Sequence, residues 1–156
     1  MRTNVVFCPE GFRAGACAEM SDNHPAERSG PPQTILFVED ETLVRIEMEE
    51  FLRECGYRVH GVADAAEAIE ALEAKFAIDL VFTDINLGPG KNGVELAAWV
   101  LTNRPGVKVI VTTGEDTHPQ LPSGIGPILQ KPYTGHDLAA RVRETLSKPS
   151  DEQPQS

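Results

Sequence analysis

The sequence predicts an α/β fold, a parallel five-stranded sheet with helices on both faces. Two observations lead there: short, nearly continuous apolar runs recur along the chain, and stretches of helical periodicity lie between them. Runs without polar alternation mark strands buried on both faces, the condition of a parallel sheet covered by helices. A third observation sets the scale, because 156 residues suit one domain of roughly 100 to 200 residues.

The first strand is expected at 35–38 (ILFV), with order beginning at Thr34. Residues 41–55 follow as a helix bearing Leu43, Ile46, Glu50 and Phe51, with Gly56 placed to end it in a left-handed cap. Residues 57–62 (YRVHGV) make a more polar, edge-like strand. Asp64 then caps a helix whose buried stripe is Ala68, Ile69 and Leu72. The third strand is 79–84 (DLVFTD), and Val94, Ala97, Ala98 and Leu101 form the stripe of the next helix. Residues 108–113 (KVIVTT) and 127–130 (PILQ) complete the sheet, and Thr134 caps a last helix carrying Leu138, Val142 and Leu146. Trp99 is expected to pack within its helix.

Outside these limits the chain has little to bury. Residues 21–33 (SDNHPAERSGPPQ) and 147–156 (SKPSDEQPQS) are polar and proline-containing, so 1–33 is expected to be a disordered extension, 34–146 the folded domain and 147–156 a disordered tail. Val5 to Phe7 is too short for a signal-peptide core, and Met20 is the expected natural start.

A net charge of −10 disfavours binding to nucleic-acid phosphates, and no apolar run reaches the ~20 residues of a membrane span. Cys8, Cys17 and Cys55 lack metal or disulfide spacing, so a reducing cytoplasm is expected. His24, His60, His118 and His136 are scattered, without zinc-ligand spacing.

In an open α/β sheet the ligand site lies at the carboxyl ends of the strands. Those ends carry Glu39 and Asp40, then Asp84, then Thr113, then Lys131 and Pro132. Three carboxylates on one rim repel unless a cation joins them, and hard oxygen donors suit a hydrated Mg2+. Asp84 can then act as a nucleophile toward a phosphoryl donor, with Lys131 and Thr113 contacting the transferred group. No GxxxxGK[ST] or GxGxxG pattern supports nucleotide binding.

Four motifs together, FVEDE, FTDINL, VTTG and QKPY, resemble the receiver domain of two-component response regulators from Thr34 to about Leu146. The resemblance implies a flavodoxin-like, doubly wound sheet of strand order 2-1-3-4-5. It implies Asp84 as phospho-acceptor, Asp40 as direct Mg2+ ligand, Glu39 as a water-mediated one and the Asn86 carbonyl as a backbone ligand. Thr113 would touch the phosphoryl oxygen, Lys131 would pair with it, and the bond to Pro132 would be cis. The donor would be a sensor histidine kinase or a histidine phosphotransferase.

Two departures stand out. Residues 115–126 (EDTHPQLPSGIG) hold two prolines and two glycines, so the helix usual between the fourth and fifth strands should be short or absent. Ile128 stands where many receivers carry a switching Tyr or Phe. The loop INLGPGKNG is similar to an alphaproteobacterial-type subgroup of single-domain receivers. A stand-alone receiver, monomeric or weakly dimeric, is therefore expected to signal by changed partner binding or to drain phosphate from a kinase. The alternatives are a Mg2+-dependent phosphatase with an Asp nucleophile, and a pseudo-receiver that binds partners without phosphorylation. Asn86 stands where such a phosphatase needs its general acid, two residues after the nucleophile.

Overall fold

A computed structural model of the protein describes residues 30–74, 77–90, 92–114, 121–126 and 128–149. The elements run β1 (Thr34–Val38), α1 (Thr42–Glu54), β2 (Arg58–Val62), α2 (Ala65–Glu73), β3 (Leu80–Asp84), α3 (Gly93–Asn103), β4 (Lys108–Thr113), β5 (Ile128–Gln130) and α4 (Gly135–Ser147). The five strands form one parallel sheet of order β2-β1-β3-β4-β5, as expected. The chain divides between Pro31 and Pro32, and the elements named above belong to the second part. Of the two expected disordered segments, 1–29 and 150–156 lie outside the described residues.

Alternation along the central strands builds a core on each face. Leu36, Val38, Val81, Val109 and Val111 point to α2 and α3, meeting Ala68, Leu72, Leu96 and Val100. Ile35, Phe37, Leu80, Phe82 and Ile110 point to α1 and α4, meeting Leu52, Leu138 and Val142. Phe37 and Phe82 are register partners on β1 and β3, and their rings stack with centroids 4.8 Å apart. Each such buried side chain contributes about 1.5–3 kcal/mol, so the strands that carry the site ends rest on the best-packed part of the molecule.

Two helix faces differ from expectation. On α1, Leu43 is 77% and Ile46 49% exposed, and Leu52 is the buried residue. An ion-pair chain takes the inner flank: Arg53 pairs with Glu49 at 2.6 Å, and Arg45 stands 4.0 Å from Glu49. Gly61 on β2 leaves room for it, because a Cβ there would stand 1.6 Å from the Glu49 carboxylate. On α3 the buried stripe is Gly93, Leu96, Ala97 and Val100, one position back from most of the expected set, with Trp99 packed at its edge. The Asn92–Glu95 capping box and the close seat of Gly93 set that rotation.

Gly56, at φ 94°, follows the α1 C-cap as expected. Asp64 and Thr134 cap α2 and α4 through Glu67 N–H and Asp137 N–H. Between β4 and β5, residues 121–126 hold a turn and no helix, while 115–120 lie outside the described residues. At the far end α4 extends through Ser147, and the Lys108 ammonium donates to the carbonyls of Thr145, at 2.7 Å, and Lys148. The helix therefore runs one residue past the expected limit of the folded domain at Leu146, and β4 supplies the cation that its last turn lacks.

Candidate functional site

The carboxyl ends of β1, β3, β4 and β5 meet on one rim. Val38 pairs in register with Thr83, Asp84 with Thr112, and Thr113 with Gln130, so Glu39, Asp84 and Lys131 leave their strands at one level. The Lys131 N–H donates to Thr113 O at 2.8 Å, extending the β4–β5 ladder one step. Its ammonium then donates to Asp84 Oδ2 and stands 3.7 Å from Glu39 Oε2. The Lys131–Pro132 peptide bond is cis.

Both carboxylates are enclosed, Glu39 at 2% and Asp84 at 5% exposure. Asp84 Oδ1 accepts from Asn86 N–H at 3.1 Å and Glu39 Oε1 from Glu41 N–H at 3.3 Å. Burial pushes the Glu39 carboxyl above its ordinary value; Lys131 opposes the rise, and nearby Asp40 and Asp84 add to it. Burial alone would lower the Lys131 ammonium, yet the hydrogen bond to Asp84 and the charges of Glu39, Asp84 and Asp40 outweigh it and hold the ammonium protonated. The rim is thus one cation among three acids, an arrangement with acceptor capacity to spare.

Asp40 is exposed beside Glu39, and a Cβ at Gly88 would stand 3.7 Å from its carboxylate, which puts the loop after β3 against it. That loop is held at both ends. Ile85 N–H donates to Thr112 O at 3.0 Å, and Gly93 N–H donates to Ile85 O at 2.9 Å. A Cβ at Gly93 would fall 1.9 Å from Asp84 O, so the first residue of α3 sits directly on the backbone of the central aspartate.

Glu39, Asp84 and Lys131 form one charged cluster, and Thr113, 7% exposed, ends the neighbouring strand. The structure adds Arg45, whose guanidinium donates to Glu39 O at 2.7 Å and ties α1 to the end of β1. It also adds Gly93 and Tyr133. The N-x-x-E spacing of Asn92 and Glu95 was a legible sign of the α3 start; nothing in the local sequence marked Arg45, and Tyr133 stood there only as the last residue of QKPY.

Among the described residues, no group of three or more His, Cys, Asp or Glu side chains is arranged as a metal cage. A hydrated Mg2+ needs less, one or two carboxylates with waters completing the shell. Glu39 Oε2 is buried and accepts no hydrogen bond among the described residues, and Asp40 stands exposed at its side. Hard oxygens with unused lone pairs in a net-negative pocket fit that ion.

Residues 35–143 match the family model for the response regulator receiver domain. Over 118 residues the chain is 36% identical to the aerobic respiration control protein ArcA of Escherichia coli K12, covering 73% of this chain and 48% of that protein. It is 31% identical over 121 residues to the transcriptional regulatory protein PdtaR of Mycobacterium tuberculosis H37Rv, covering 75% and 58%. The chain thus spans about half the length of these curated relatives. A CheY-like receiver domain protein from Methanospirillum hungatei JF-1 superposes with a TM-score of 0.68 at 31% identity, over 74% of this chain and 94% of that one.

Proposed function

The chain belongs to the response regulator receiver family of two-component signalling, and from that premise we propose that Asp84 accepts a phosphoryl group from a phosphohistidine donor. One observation carries this reading: the Lys131 ammonium bridges Asp84 and Glu39 at the strand ends, so a carboxyl nucleophile and a cation able to bind phosphate stand together in a sheltered site. An Asp84 carboxylate oxygen attacks phosphorus, the P–N bond breaks, and its electron pair returns to the imidazole. Lys131 follows the new phosphoryl oxygens, and the Thr113 hydroxyl donates to one of them.

Glu39, Asp40, Asp84 and the Asn86 carbonyl would hold Mg2+, which when bound neutralises charge on the transferring group. The donor would be a sensor kinase or histidine phosphotransferase. Exposed Leu43 and Ile46, on the helix that starts two residues after Asp40, favour a protein donor over a small ester. The output is a changed surface or a phosphate sink, in the reducing cytoplasm that the cysteine usage suggests. Within the described residues no helix is long and apolar enough to cross a membrane.

A phosphatase would need a general acid at Asn86, and an amide cannot serve. Intact mass after acetyl phosphate and Mg2+ tests the reading: a gain of about 80 Da that disappears in Asp84→Asn and in EDTA supports it. Steady ester turnover lost in Asp84→Asn would favour the phosphatase instead. No gain from either acetyl phosphate or a kinase would favour the pseudo-receiver.

A further inference from the structure

Residues 39–41 join β1 to α1 and belong to neither element, yet they carry Glu39 and Asp40, two of the carboxylates offered to a cation. The aim of those side chains therefore depends on how the loop backbone is fixed. Glu39 N–H donates to Val62 O on β2 at 3.1 Å, which anchors the loop where it leaves the sheet. Arg45 N–H donates to Glu41 O at 2.9 Å, which anchors it where α1 begins. Between these points lies the peptide plane shared by Glu39 and Asp40. Its oxygen, Glu39 O, accepts from the Arg45 guanidinium at 2.7 Å.

A peptide unit is planar, so holding its oxygen sets the direction in which the chain continues to Asp40. Hydrogen bonds from an ionised donor are the stronger kind, and the rigid guanidinium fork adds direction. The Arg45 side chain is itself confined, 18% exposed, with its Nε 4.0 Å from Glu49 Oε1. Glu49 is held in turn by Arg53 at 2.6 Å, and Arg53 donates to Val59 O at 3.0 Å. The brace thus returns to β2, the strand that also holds Glu39 N–H. A positive charge beside the ligands of a divalent cation opposes binding by repulsion. Glu49 offsets that charge, so what Arg45 brings to the site is the geometry of the loop.

We propose that Arg45 is a positioning residue for Mg2+: by holding Glu39 O it presents the Glu39 and Asp40 carboxylates to the ion, and so sets metal affinity without touching the metal or the phosphoryl group. This rests on the reading of Glu39 and Asp40 as Mg2+ ligands. Contacts that orient metal ligands from outside typically change affinity by about 10–100-fold when removed.

The test compares the full chain as wild type, Arg45→Met and Arg45→Lys. Both replacements are long side chains suited to a helix, so α1 survives either change; Met removes the donor and Lys restores one. Mg2+ binding is measured by calorimetry without any phosphoryl donor, and initial phosphorylation rates by acetyl phosphate are followed against Mg2+ concentration. Arg45→Met should bind Mg2+ about tenfold more weakly. Its half-saturating Mg2+ should rise by the same factor, while the rate at saturating Mg2+ stays at the wild-type value. Arg45→Lys should recover most of the lost affinity. Unchanged affinity in Arg45→Met, a loss that Arg45→Lys does not recover, or a lower saturated rate with unchanged half-saturation overturns the inference alone. A wild type that binds no Mg2+ overturns the reading of Glu39 and Asp40 as ligands and this inference with it.

Discussion

Lys131 and Asp84, 47 positions apart in the chain, share a hydrogen-bonded ion pair across the ends of β5 and β3. The pair exists because β4 stands between those strands and carries Thr113 in register with Gln130. Lys131→Ala leaves Glu39 and Asp84 facing each other without their cation. Phosphorylation by acetyl phosphate should slow at least tenfold, about 1.4 kcal/mol of barrier. Stability should fall by only about 1 kcal/mol, since the lysine side chain is 33% exposed. Quenched mass spectrometry and urea titration measure the two separately.

Gly61 and Gly93 both lack space for a Cβ, but their neighbours differ. At Gly61 the obstacle is the end of the flexible Glu49 side chain; at Gly93 it is the backbone oxygen of Asp84. Gly61→Ala should cost about 1 kcal/mol as Glu49 swings away from Arg45 and Arg53, and Gly93→Ala more than about 2 kcal/mol, because α3 must move off β3. Denaturant midpoints rank them, and only Gly93→Ala should also slow phosphorylation of Asp84.

The exposed pair on α1 separates stability from recognition. Leu43→Ser with Ile46→Ser should change stability by no more than about 0.5 kcal/mol, as surface substitutions do. Transfer from a phosphorylated kinase should slow while acetyl phosphate reacts as before. Parallel time courses with the two donors check this; equal slowing with both would remove the docking role of these residues.

Phe82→Ala takes away the ring that stacks on Phe37 and meets Tyr133. The expected loss is about 3–5 kcal/mol, enough to leave a marginal domain partly unfolded. Thermal unfolding followed by circular dichroism would register it as a markedly lower Tm.

The Thr134–Asp137 capping box gives a pH dependence with a definite sign. Hydrogen bonds from the Thr134 backbone and hydroxyl hold the exposed Asp137 carboxyl below its ordinary value of 3.8. A carboxyl whose folded value is lowered contributes stability above its unfolded value and loses it as pH falls through the folded one. Asp137→Ala should therefore melt below the wild type at neutral pH, and the difference should shrink as pH drops below 3.8. Tm against pH for both proteins tests this; a difference independent of pH would mean that the cap does not act through the carboxylate.

The sequence by itself determined the sheet and most of the rim. Strands such as Leu80–Asp84, apolar up to the two polar residues at its carboxyl end, have no polar face to offer water, so they had to lie centrally between helices, and the rule for open sheets then brought Glu39, Asp84, Thr113 and Lys131 to one edge. Caps at Asp64 and Thr134 were equally legible, because capping is a local hydrogen bond between residues three apart. What only the tertiary structure decided depends on long-range contact. The rotation of α1 turns on Gly61, a glycine on another element that admits the Glu49 carboxylate and leaves Leu43 and Ile46 in solvent. The seat of α3 turns on the backbone of Asp84 passing under Gly93. The end of α4 turns on Lys108, 40 residues before the carbonyl of Lys148 to which it donates. Tyr133 stood in the sequence only as the last residue of QKPY; its packing against Phe82 and the burial of its hydroxyl belong to the fold. Periodicity encodes which face of an element is apolar, but the space left by a distant glycine and the fate of a buried hydroxyl exist only once the elements have met.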